Sequence, residues 1–386
     1  MRLQTKNNFL AIDASNIRHG GGITHLSQLL AHTESENLMF DKVYLWAGKS
    51  TLSLIPDKEW LIKKNHYLLN GNLIFRSIWQ IFHLKKSLLA ESCSILFVLG
   101  GTFFTSYKPV INFHQNLLPF EFKEILRFGF SKKLIRFYLL RIIQSSSLKR
   151  SSAIIYLSNF SKKIVENQFN KLPKNKIIYH GIEPRFLHLP KKQNPISEYN
   201  EEKPFKIIYV SSVDYYKHQW NVVEAISILK NEGFPVRLDL YGAANKSPLK
   251  KLNKCIDKYD KNRNFINYVD EVSFADMHHI YKDSDLSVFA SSCETFGQIV
   301  LESMASGLPI ACSEMSSMKE IVRDGCIYFN PLDSNEIAKA LRQLLLSEQL
   351  RESVSRKAHL YSKEFSWKET SQQTFSYIKE IQQESL

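Results

Sequence analysis

Short apolar runs alternate with longer segments of helical periodicity along this chain, and this alternation constrains its fold more than any other feature. In the first half, the apolar runs are residues 9–12, 42–46, 94–99, 110–113, 153–157 and 176–179. Segments between them, such as 23–32, 73–91 and 121–150, have the apolar spacing of helices. Because strands that alternate with helices build a parallel sheet covered on both faces, the sequence predicts an α/β fold with a doubly wound sheet.

The same alternation restarts at residue 205, so we predict a second domain of the same kind. Its apolar runs are residues 205–210, 236–241, 264–268, 286–290 and 309–312, and its predicted helices are 220–230, one from about 296, 334–347 and 349–363. Residues 190–204 are polar, charged and interrupted by prolines, which is typical of a linker. We predict a first domain over 1–187, a linker over 188–204 and a second domain over 205–365. A helix over 366–386 is expected to pack back on the first domain, with the two domains facing each other across a cleft.

The charge of the chain is concentrated in its first half. The net charge is +13, but residues 1–186 contain 26 Lys and Arg against 11 Asp and Glu, whereas the remainder contains 25 against 27. A strongly basic half favours an anionic partner, which could be a nucleic acid, an anionic membrane or an acidic substrate.

Cysteine spacing and hydropathy limit the class of protein. The five cysteines form no C-x-x-C pair and have no metal-like spacing with histidine, which excludes a disulfide scaffold or a zinc site and favours a reducing compartment. No run of about 18 apolar residues predicts a transmembrane helix. Because Asp13 interrupts the first apolar run, no signal peptide is predicted either. A cytoplasmic protein is expected.

The segment 291–309 carries two acids, Glu294 and Glu302, on either side of a predicted helix start near Phe296 and Gly297. A helix N-terminus offers backbone N–H groups and positive dipole charge, which suit a diphosphate. The two carboxylates could then bind hydroxyl groups on both sides of that diphosphate. For this spacing alone, two unrelated surface acids are the alternative, because acids eight residues apart are common.

The surroundings of these acids resemble a known family. Glu294, Glu302 and the sequence Ala-Ser-Gly-Leu-Pro that follows resemble the E-x7-E segment of retaining glycosyltransferases of family 4, which have the GT-B fold. Further matches in the family's order are residues 178–182, 185–186, 318–322, 324–325, 329–331 and 365–367. The resemblance implies transfer of a sugar from a nucleotide-diphosphate sugar to a glycan or polyprenyl-linked acceptor, with retention of configuration, no tightly bound cofactor and no required metal.

The resemblance also implies roles for residues of the second half. Glu294 matches the acid that contacts the donor sugar, and Glu302 matches the acid that holds the ribose. The amides of Phe296, Gly297 and Gln298 would face the diphosphate. Lys217, which follows a predicted strand, matches the lysine of the family's R-x4-K phosphate clamp, although a solvated turn is the alternative for the bare residue. The arginine of that clamp is Ser212 here, so another cation among Arg18, His19, His180 and His218 is expected to compensate.

Two further candidates lie in the first half. His114 ends an apolar run, where ligands sit in open α/β sheets, and it resembles the family histidine that approaches the donor sugar; a hydrogen-bonded structural histidine is the alternative. Gly21 and Gly22 belong to a glycine run between a strand and a helix, which allows backbone N–H groups to approach an anion. In the family this loop lies beside the donor phosphates; a plain tight turn is the alternative. We place His114 with Glu294 and Lys217 as catalytic, and Gly21 and Gly22 with Ser212 as donor-binding.

Aromatic residues are interleaved with the basic ones over residues 76–86 and 123–150. This pattern suits a peripheral position on an anionic inner membrane face, while a solvated basic surface over a core is the alternative. Nucleic acid is disfavoured, since no helix-turn-helix, zinc finger or RNA-binding signature accompanies the basic residues.

Segments around residues 113–120 and 216–219 look most similar to bacterial mannosyltransferases and related hexosyltransferases of surface-polysaccharide and lipopolysaccharide O-antigen assembly. GDP-mannose is thus the first expected donor and a UDP-sugar the second. A nucleotide-sugar epimerase or hydrolase of this fold, or a silent nucleotide-sugar-binding protein, stays open.

Overall fold

The computed structural model describes residues 8–18, 20–270 and 272–385, which divide into two compact units. The first unit contains the described residues up to Phe120, residues 132–181 and those from Ser366 onwards. The second contains residues 121–131 and 182–365. The first unit therefore ends at Gly181 rather than 187, and a segment from within the predicted first domain belongs to the second unit.

The first unit is built on a parallel sheet of seven strands in the order β3-β2-β1-β4-β5-β6-β7. The strands are β1 (Phe9–Asp13), β2 (Lys42–Trp46), β3 (Leu61–Lys64), β4 (Ile95–Val98), β5 (Val110–His114), β6 (Ala153–Tyr156) and β7 (Lys174–Ile177). All four residues of β4 and all four of β6 are buried, as expected for central strands covered on both faces. The six predicted strands of this half are confirmed to within three residues, and β3 is an additional edge strand.

Helices up to residue 181 differ from the prediction in two places. They are α1 (Gly21–Ala31), α2 (Lys49–Leu52), α3 (Leu73–Phe82), α4 (Leu84–Ala90), α5 (Phe122–Leu126), α6 (Lys132–Arg150) and α7 (Asn159–Glu166). The single helix predicted over 73–91 is divided at His83. The helix predicted over 121–150 is also wrong, because Gly129 has a positive φ of 58° and the chain turns between α5 and α6. Of these helices, α5 lies in the second unit.

The second unit has a parallel sheet of six strands in the order β10-β9-β8-β11-β12-β13. The strands are β8 (Phe205–Val210), β9 (Val236–Tyr241), β10 (Ile266–Val269), β11 (Leu286–Phe289), β12 (Ile310–Ser313) and β13 (Ile327–Phe329). The helices are α8 (Gln219–Asn231), α9 (Lys246–Tyr259), α10 (Met277–Lys282), α11 (Gln298–Ala305), α12 (Met318–Val322), α13 (Ser334–Leu346) and α14 (Glu348–Ser362). The strand order reverses between β8 and β11, which is where open α/β sheets bind ligands.

The predicted linker over 188–204 packs on the second unit instead of standing apart from it. The Lys191 ammonium donates a hydrogen bond to the Ser284 carbonyl at 3.1 Å. The buried Arg351 side chain donates from Nε to the side-chain oxygen of Gln193 at 3.0 Å. The charged and proline-bearing composition of this segment is that of a linker, but these contacts make it part of the second unit.

The last helix, α15 (Trp367–Glu384), packs on the first unit, as predicted. Thr370 Oγ1 donates to the Tyr179 carbonyl at 2.8 Å, and Ser371 Oγ lies 2.7 Å from Thr33 Oγ1. Near the other end of the helix, Lys379 Nζ donates to Asn8 Oδ1 at 2.6 Å. No helix in the described part of the chain is long and apolar enough to cross a bilayer.

Candidate active site

A lysine and a glutamate meet at the carboxyl ends of β8 and β11. Lys217 lies in the 3-10 turn Tyr215–Lys217 after β8, and Glu294 lies in the loop after β11. Since these strands are parallel neighbours, their carboxyl ends share one edge of the sheet. The Lys217 ammonium donates directly to Glu294 Oε1, and the two side chains are only 7% and 17% exposed. The sequence predicted both residues but did not predict that they pair.

Several contacts fix the lysine side of this pair. The Tyr209 hydroxyl donates to the Lys217 carbonyl at 2.6 Å, and Asp214 caps the 3-10 turn by accepting the Tyr215 N–H at 2.8 Å. The Lys217 ammonium also lies 5.4 Å from the centre of the Phe289 ring, within cation–π distance. The charge at this edge is thus held in position before any ligand arrives.

A buried network that the sequence did not predict links the loops bearing this pair. Ser292, two residues before Glu294, donates from Oγ to Glu124 Oε2 at 2.7 Å, and Arg127 Nε donates to the same carboxylate at 2.8 Å. The Ser292 hydroxyl also lies 2.9 Å from Nε2 of His218, the neighbour of Lys217. Glu124 therefore braces both loops from the segment 121–131.

The protonation state of His218 follows from this environment. Burial lowers the pKa of His218 to about 3, and the charges of Arg127 and Lys251 lower it further in the same direction. The imidazole is therefore neutral at physiological pH. It supplies no positive charge and cannot compensate for the missing clamp arginine. The sequence signal that could have revealed this network is Gly129. A glycine at this position favours a break in the predicted helix 121–150, and the break separates α5 from α6.

Helix α11 begins at Gln298, one to two residues later than predicted, after Gly297 in the left-handed region (φ 97°, ψ 52°). A Cβ added at Gly297 would lie 2.4 Å from the Met318 methyl carbon, so both the backbone and the space require glycine. The Phe296 carbonyl accepts a hydrogen bond from Ser317 Oγ at 2.9 Å. The predicted contact of the amides of Phe296, Gly297 and Gln298 with a diphosphate stays a prediction.

Glu302 lies one turn into α11, and its side chain is buried. The Tyr281 hydroxyl donates to Glu302 Oε2 at 3.1 Å. The pKa of Glu302 is raised to about 8, chiefly by burial; the hydrogen bond from Tyr281 opposes this shift, the charge of Glu183 adds to it and that of Arg185 opposes it. Without a ligand, this carboxyl group is mostly protonated at pH 7.

Ser212 is exposed, and its carbonyl accepts a hydrogen bond from the Gln219 amide at 2.9 Å. Two of the suggested compensating cations, Arg18 and His180, belong to the first unit, and His19 lies outside the described residues. None of the four suggested residues is therefore shown to supply a second positive charge beside Lys217 in the second unit. No group of three His, Cys, Asp or Glu side chains suitable for a metal ion occurs among the described residues.

Residues 191–360, which include Lys217, Glu294 and Glu302, match the family described as glycosyl transferases group 1. They form a glycosyl transferases group 1 domain. The predicted family resemblance is thereby confirmed for the part of the chain that holds most of the candidate residues.

Sequence relatives of this chain include the O-antigen chain mannosyltransferase B of Escherichia coli. It is 24% identical over 240 residues, which is 60% of this chain and 62% of that protein. The match thus spans less than two thirds of this curated relative.

Solved structures extend the likeness to both units. Sucrose-phosphate synthase from Thermosynechococcus elongatus is similar with a TM-score of 0.77 at 14% identity, over 97% of this chain and 99% of that one. Anabaena HepE in complex with UDP-glucose has a TM-score of 0.70 at 17% identity, over 98% and 100% of the two chains. These likenesses confirm the predicted fold class, with two Rossmann-like domains of the GT-B type.

The candidates outside the group 1 domain lie in the first unit. His114 ends β5, is buried, and has no hydrogen-bond partner among the described residues on either ring nitrogen. Burial lowers its pKa to about 4, so the imidazole is neutral. Gly21 and Gly22 open α1, where a Cβ on Gly21 would meet nothing within 4 Å. Their catalytic and donor-binding roles stay predictions.

Proposed function

We propose that this protein is a retaining glycosyltransferase that moves a hexose from a nucleotide-diphosphate sugar to a glycan or lipid-linked acceptor. The observation that carries the proposal is the buried Lys217–Glu294 pair at the switch point of a group 1 domain. The pair sets a cation and a hydrogen-bond acceptor side by side, where a diphosphate and a sugar hydroxyl would lie. Glu302 accepts a ribose hydroxyl in this proposal.

The chemistry assigned to these residues is electrostatic. As the bond between the anomeric carbon and the diphosphate oxygen breaks, negative charge grows on the diphosphate and positive charge grows on the sugar ring. Lys217 and the N-terminus of α11 stabilise the leaving diphosphate, while Glu294 and His114 orient the sugar. The acceptor oxygen then bonds to the same face of the anomeric carbon, and its proton leaves with the diphosphate.

GDP-mannose is the proposed donor, in O-antigen or related polysaccharide assembly, because the Escherichia coli relative is named a mannosyltransferase of the O-antigen chain and GDP-mannose is the first expected donor of a mannosyl group. A UDP-sugar is the second candidate, favoured by the likeness to HepE in complex with UDP-glucose. In both cases the nucleotide sugar is a substrate.

The first unit is proposed to dock on an anionic membrane through the outer faces of α3 and α6, hereafter the α3/α6 surface. Both helices pack beside the segment 101–106: Gln80 of α3 donates to the Thr102 carbonyl at 3.3 Å, and Ser147 of α6 accepts the Phe103 N–H at 3.1 Å. Large apolar side chains point outward from both helices. They are Leu73, Ile74, Phe75, Ile81 and Phe82 of α3, and Ile135, Tyr138, Leu139 and Ile142 of α6.

Basic residues accompany these apolar side chains, which favours anionic lipid as the partner of the α3/α6 surface. Helix α6 carries Lys132, Lys133, Arg136 and Arg141 in its first ten residues and has no Asp or Glu. Vesicles of phosphatidylglycerol should therefore sediment the protein, and binding should weaken as salt rises. Equal binding to neutral phosphatidylcholine vesicles, or none to either, would contradict docking by charge.

The activity is tested by incubating the protein with a panel of nucleotide sugars, first for protection against thermal unfolding and then for transfer to bacterial lipid-linked glycans. The true donor raises the unfolding temperature by mass action, and the product should keep the anomeric configuration of the donor. Lys217→Gln should lower turnover about 100-fold or more. Lys206→Gln, on the exposed side of β8, is the charge-matched control.

An inverted product would refute the retaining mechanism. Consumption of nucleotide sugar without any acceptor would identify an epimerase or hydrolase. Binding of a nucleotide sugar with no turnover in either the wild type or Lys217→Gln would identify a silent binding protein.

A further inference from the structure

Two arginines of the first unit connect the same two loops. Arg18, in the loop after β1, donates from Nη2 to the carbonyls of Leu69 and Gly71 at 2.6 and 2.7 Å. Arg76, at the start of α3, donates from Nε to the Asn72 carbonyl at 3.3 Å. Since Gly71 and Asn72 are consecutive, the two guanidinium groups are held close together.

Arg76 also reaches back to the loop that carries Arg18. Its Nη1 donates to the Ser15 carbonyl and to Asn16 Oδ1, both at 3.2 Å. All acceptors of these two arginines are neutral carbonyl oxygens, and no carboxylate lies within ion-pair distance of either guanidinium in the described part of the chain. The buried Nε of Arg18 has no hydrogen-bond partner among the described residues.

A third arginine approaches from α6. Arg136 is exposed, and no hydrogen bond or ion pair holds its side chain among the described residues. Arg76 experiences its charge: burial lowers the pKa of Arg76, and the positive charges of Arg18 and Arg136 lower it further. Two positive charges therefore lie close together without an ion-pair partner among the described residues. Arg136 adds a third charge from α6, which packs on the segment 101–106 that Asn16 also contacts: Asn16 Nδ2 donates to Thr102 Oγ1 at 3.2 Å, and Ser147 of α6 accepts the Phe103 N–H.

The acid at this edge of the sheet does not neutralise them. The Asp13 carboxylate, at the end of β1, accepts the Ser15 N–H at 2.9 Å and the Gln80 amide at 2.7 Å. Burial raises the pKa of Asp13, while its hydrogen bonds with Ser15 and Gln80 lower it. Among the described residues, no ion pair joins Asp13 to Arg18 or Arg76. The arginines keep their excess positive charge, which disfavours the empty site and favours an anion.

Position in the sheet is the second reason to expect a ligand. The strand β1 pairs with β2 on one side and β4 on the other, so the strand order reverses at β1. Ligands of open α/β sheets bind at the carboxyl ends of strands at such a reversal. A Cβ on Gly20, in the same loop as Arg18, or on Gly21, the first residue of α1, would meet nothing within 4 Å, so there is open space beside these two glycines.

We propose that Arg18, Arg76 and Arg136 bind a phosphate or diphosphate group of the acceptor substrate. Planar guanidinium groups match phosphate oxygens with paired hydrogen bonds, and three of them suit a group with two or more negative charges. Arg76 and Arg136 belong to the two helices of the α3/α6 surface, so a lipid-linked diphosphate at a bilayer would lie within their reach. This inference rests on the proposed function, because it assigns the site to the acceptor.

The experiment is a calorimetric titration with inorganic pyrophosphate. It compares the Lys217→Gln variant, in which the donor site is weakened, with the same variant that also carries Arg76→Gln and Arg136→Gln. The control is Lys42→Gln/Lys86→Gln, which removes two charges from exposed positions of the first unit, including the amino end of β2. We expect pyrophosphate affinity to fall about tenfold or more in the arginine variant and less than twofold in the control.

Arg136→Gln alone keeps the experiment decisive if the double variant unfolds, because Arg136 is exposed and anchors no loop. It should weaken pyrophosphate binding several-fold at unchanged unfolding temperature. Unchanged affinity in both arginine variants would overturn the proposal, and so would an equal loss in the lysine control.

Two further measurements separate the sources of the phosphate group. Nucleotide-sugar binding in the Lys217 wild-type background should be unaffected by Arg76→Gln/Arg136→Gln, and a loss there would assign the arginines to the donor and overturn the proposal. Sedimentation with phosphatidylglycerol vesicles should fall only slightly more than in the lysine control, because Arg136 is one of several basic residues on the α3/α6 surface. A larger loss there with unchanged pyrophosphate binding would identify a lipid headgroup as the ligand instead. Weaker pyrophosphate binding in the arginine variants of a protein that transfers no sugar would support the anion site and refute only the proposed function.

Discussion

Replacing Glu302 by glutamine removes a buried carboxyl group whose ionisation opposes folding. The pKa of Glu302 is raised to about 8 in the folded protein, against 4.5 for an ordinary glutamate. The folded state therefore binds this proton more tightly than the unfolded state does. The contribution of Glu302 to the stability of the protein consequently falls as the pH rises from about 4.5 to about 8, and the side chain contributes no such loss below 4.5.

The size of this effect follows from the pKa difference. At about 1.4 kcal/mol for each pH unit above 4.5, ionisation of Glu302 lowers the free energy of unfolding by about 1 kcal/mol at pH 5 and about 3 kcal/mol at pH 7. Glutamine has nearly the same shape, and its side-chain oxygen can still accept the hydrogen bond from Tyr281. We therefore expect Glu302→Gln to stabilise the second unit by about 3 kcal/mol at pH 7, while weakening nucleotide binding.

Urea unfolding of the wild type and Glu302→Gln at pH 5, 6, 7 and 8 measures this difference. The gain should appear in the transition of the second unit and should grow with pH. Glu202→Gln, at an exposed position of the same unit, controls for the loss of a surface charge and should show no such growth. A stability gain that does not change with pH, or a variant less stable than the wild type at pH 7, would refute the reasoning.

Three further predictions concern the loops around the Lys217–Glu294 pair. Because the pKa of His218 is about 3 when folded and 6.5 when unfolded, the unfolded state gains the proton as the pH falls below 6.5. The His218 side chain therefore contributes a loss of about 2 kcal/mol of stability between pH 7 and 5, so urea unfolding of His218→Asn over this range should show a change about 2 kcal/mol more favourable than that of the wild type; equal changes would contradict the assignment. Gly297→Ala should lower the free energy of unfolding by about 3 kcal/mol, because of the positive φ and the contact with Met318. Gly233→Ala, with φ 87° and open space around it, should lower it by about 1 kcal/mol. Equal losses in urea unfolding would contradict the packing argument. Glu124→Gln should destabilise the second unit by about 2 kcal/mol and weaken nucleotide-sugar binding in calorimetry, and unchanged values of both would exclude the bracing role.

Much of the fold was predictable because its strands are central and apolar. The strands β2, β8 and β9 begin and end at the predicted residues, since each is a short apolar or alternating run, and β8 and β9 each follow a proline. The edge strand β3 was missed because its four residues include two lysines. Edge strands need less apolar character, so their local pattern resembles that of a loop.

The candidate site was predictable only where a motif carries it. Glu294, Glu302 and Lys217 follow from the family resemblance, whereas Glu124 and Ser292 carry no pattern of their own. Their hydrogen bond joins residues 168 positions apart, and it forms because residues 121–131 belong to the second unit. A helix predicted over 121–150 concealed that possibility.

By itself, the sequence determined the strand–helix alternation, the two α/β domains and the order of the family motifs. These properties depend on local periodicity and on short segments, which a single chain records directly. The tertiary structure decided that Lys217 pairs with Glu294, that the pKa of Glu302 rises to about 8, and that Arg18 and Arg76 converge. Such properties depend on which strand ends become neighbours and on how much water burial removes, and both are set only when the parallel sheets assemble.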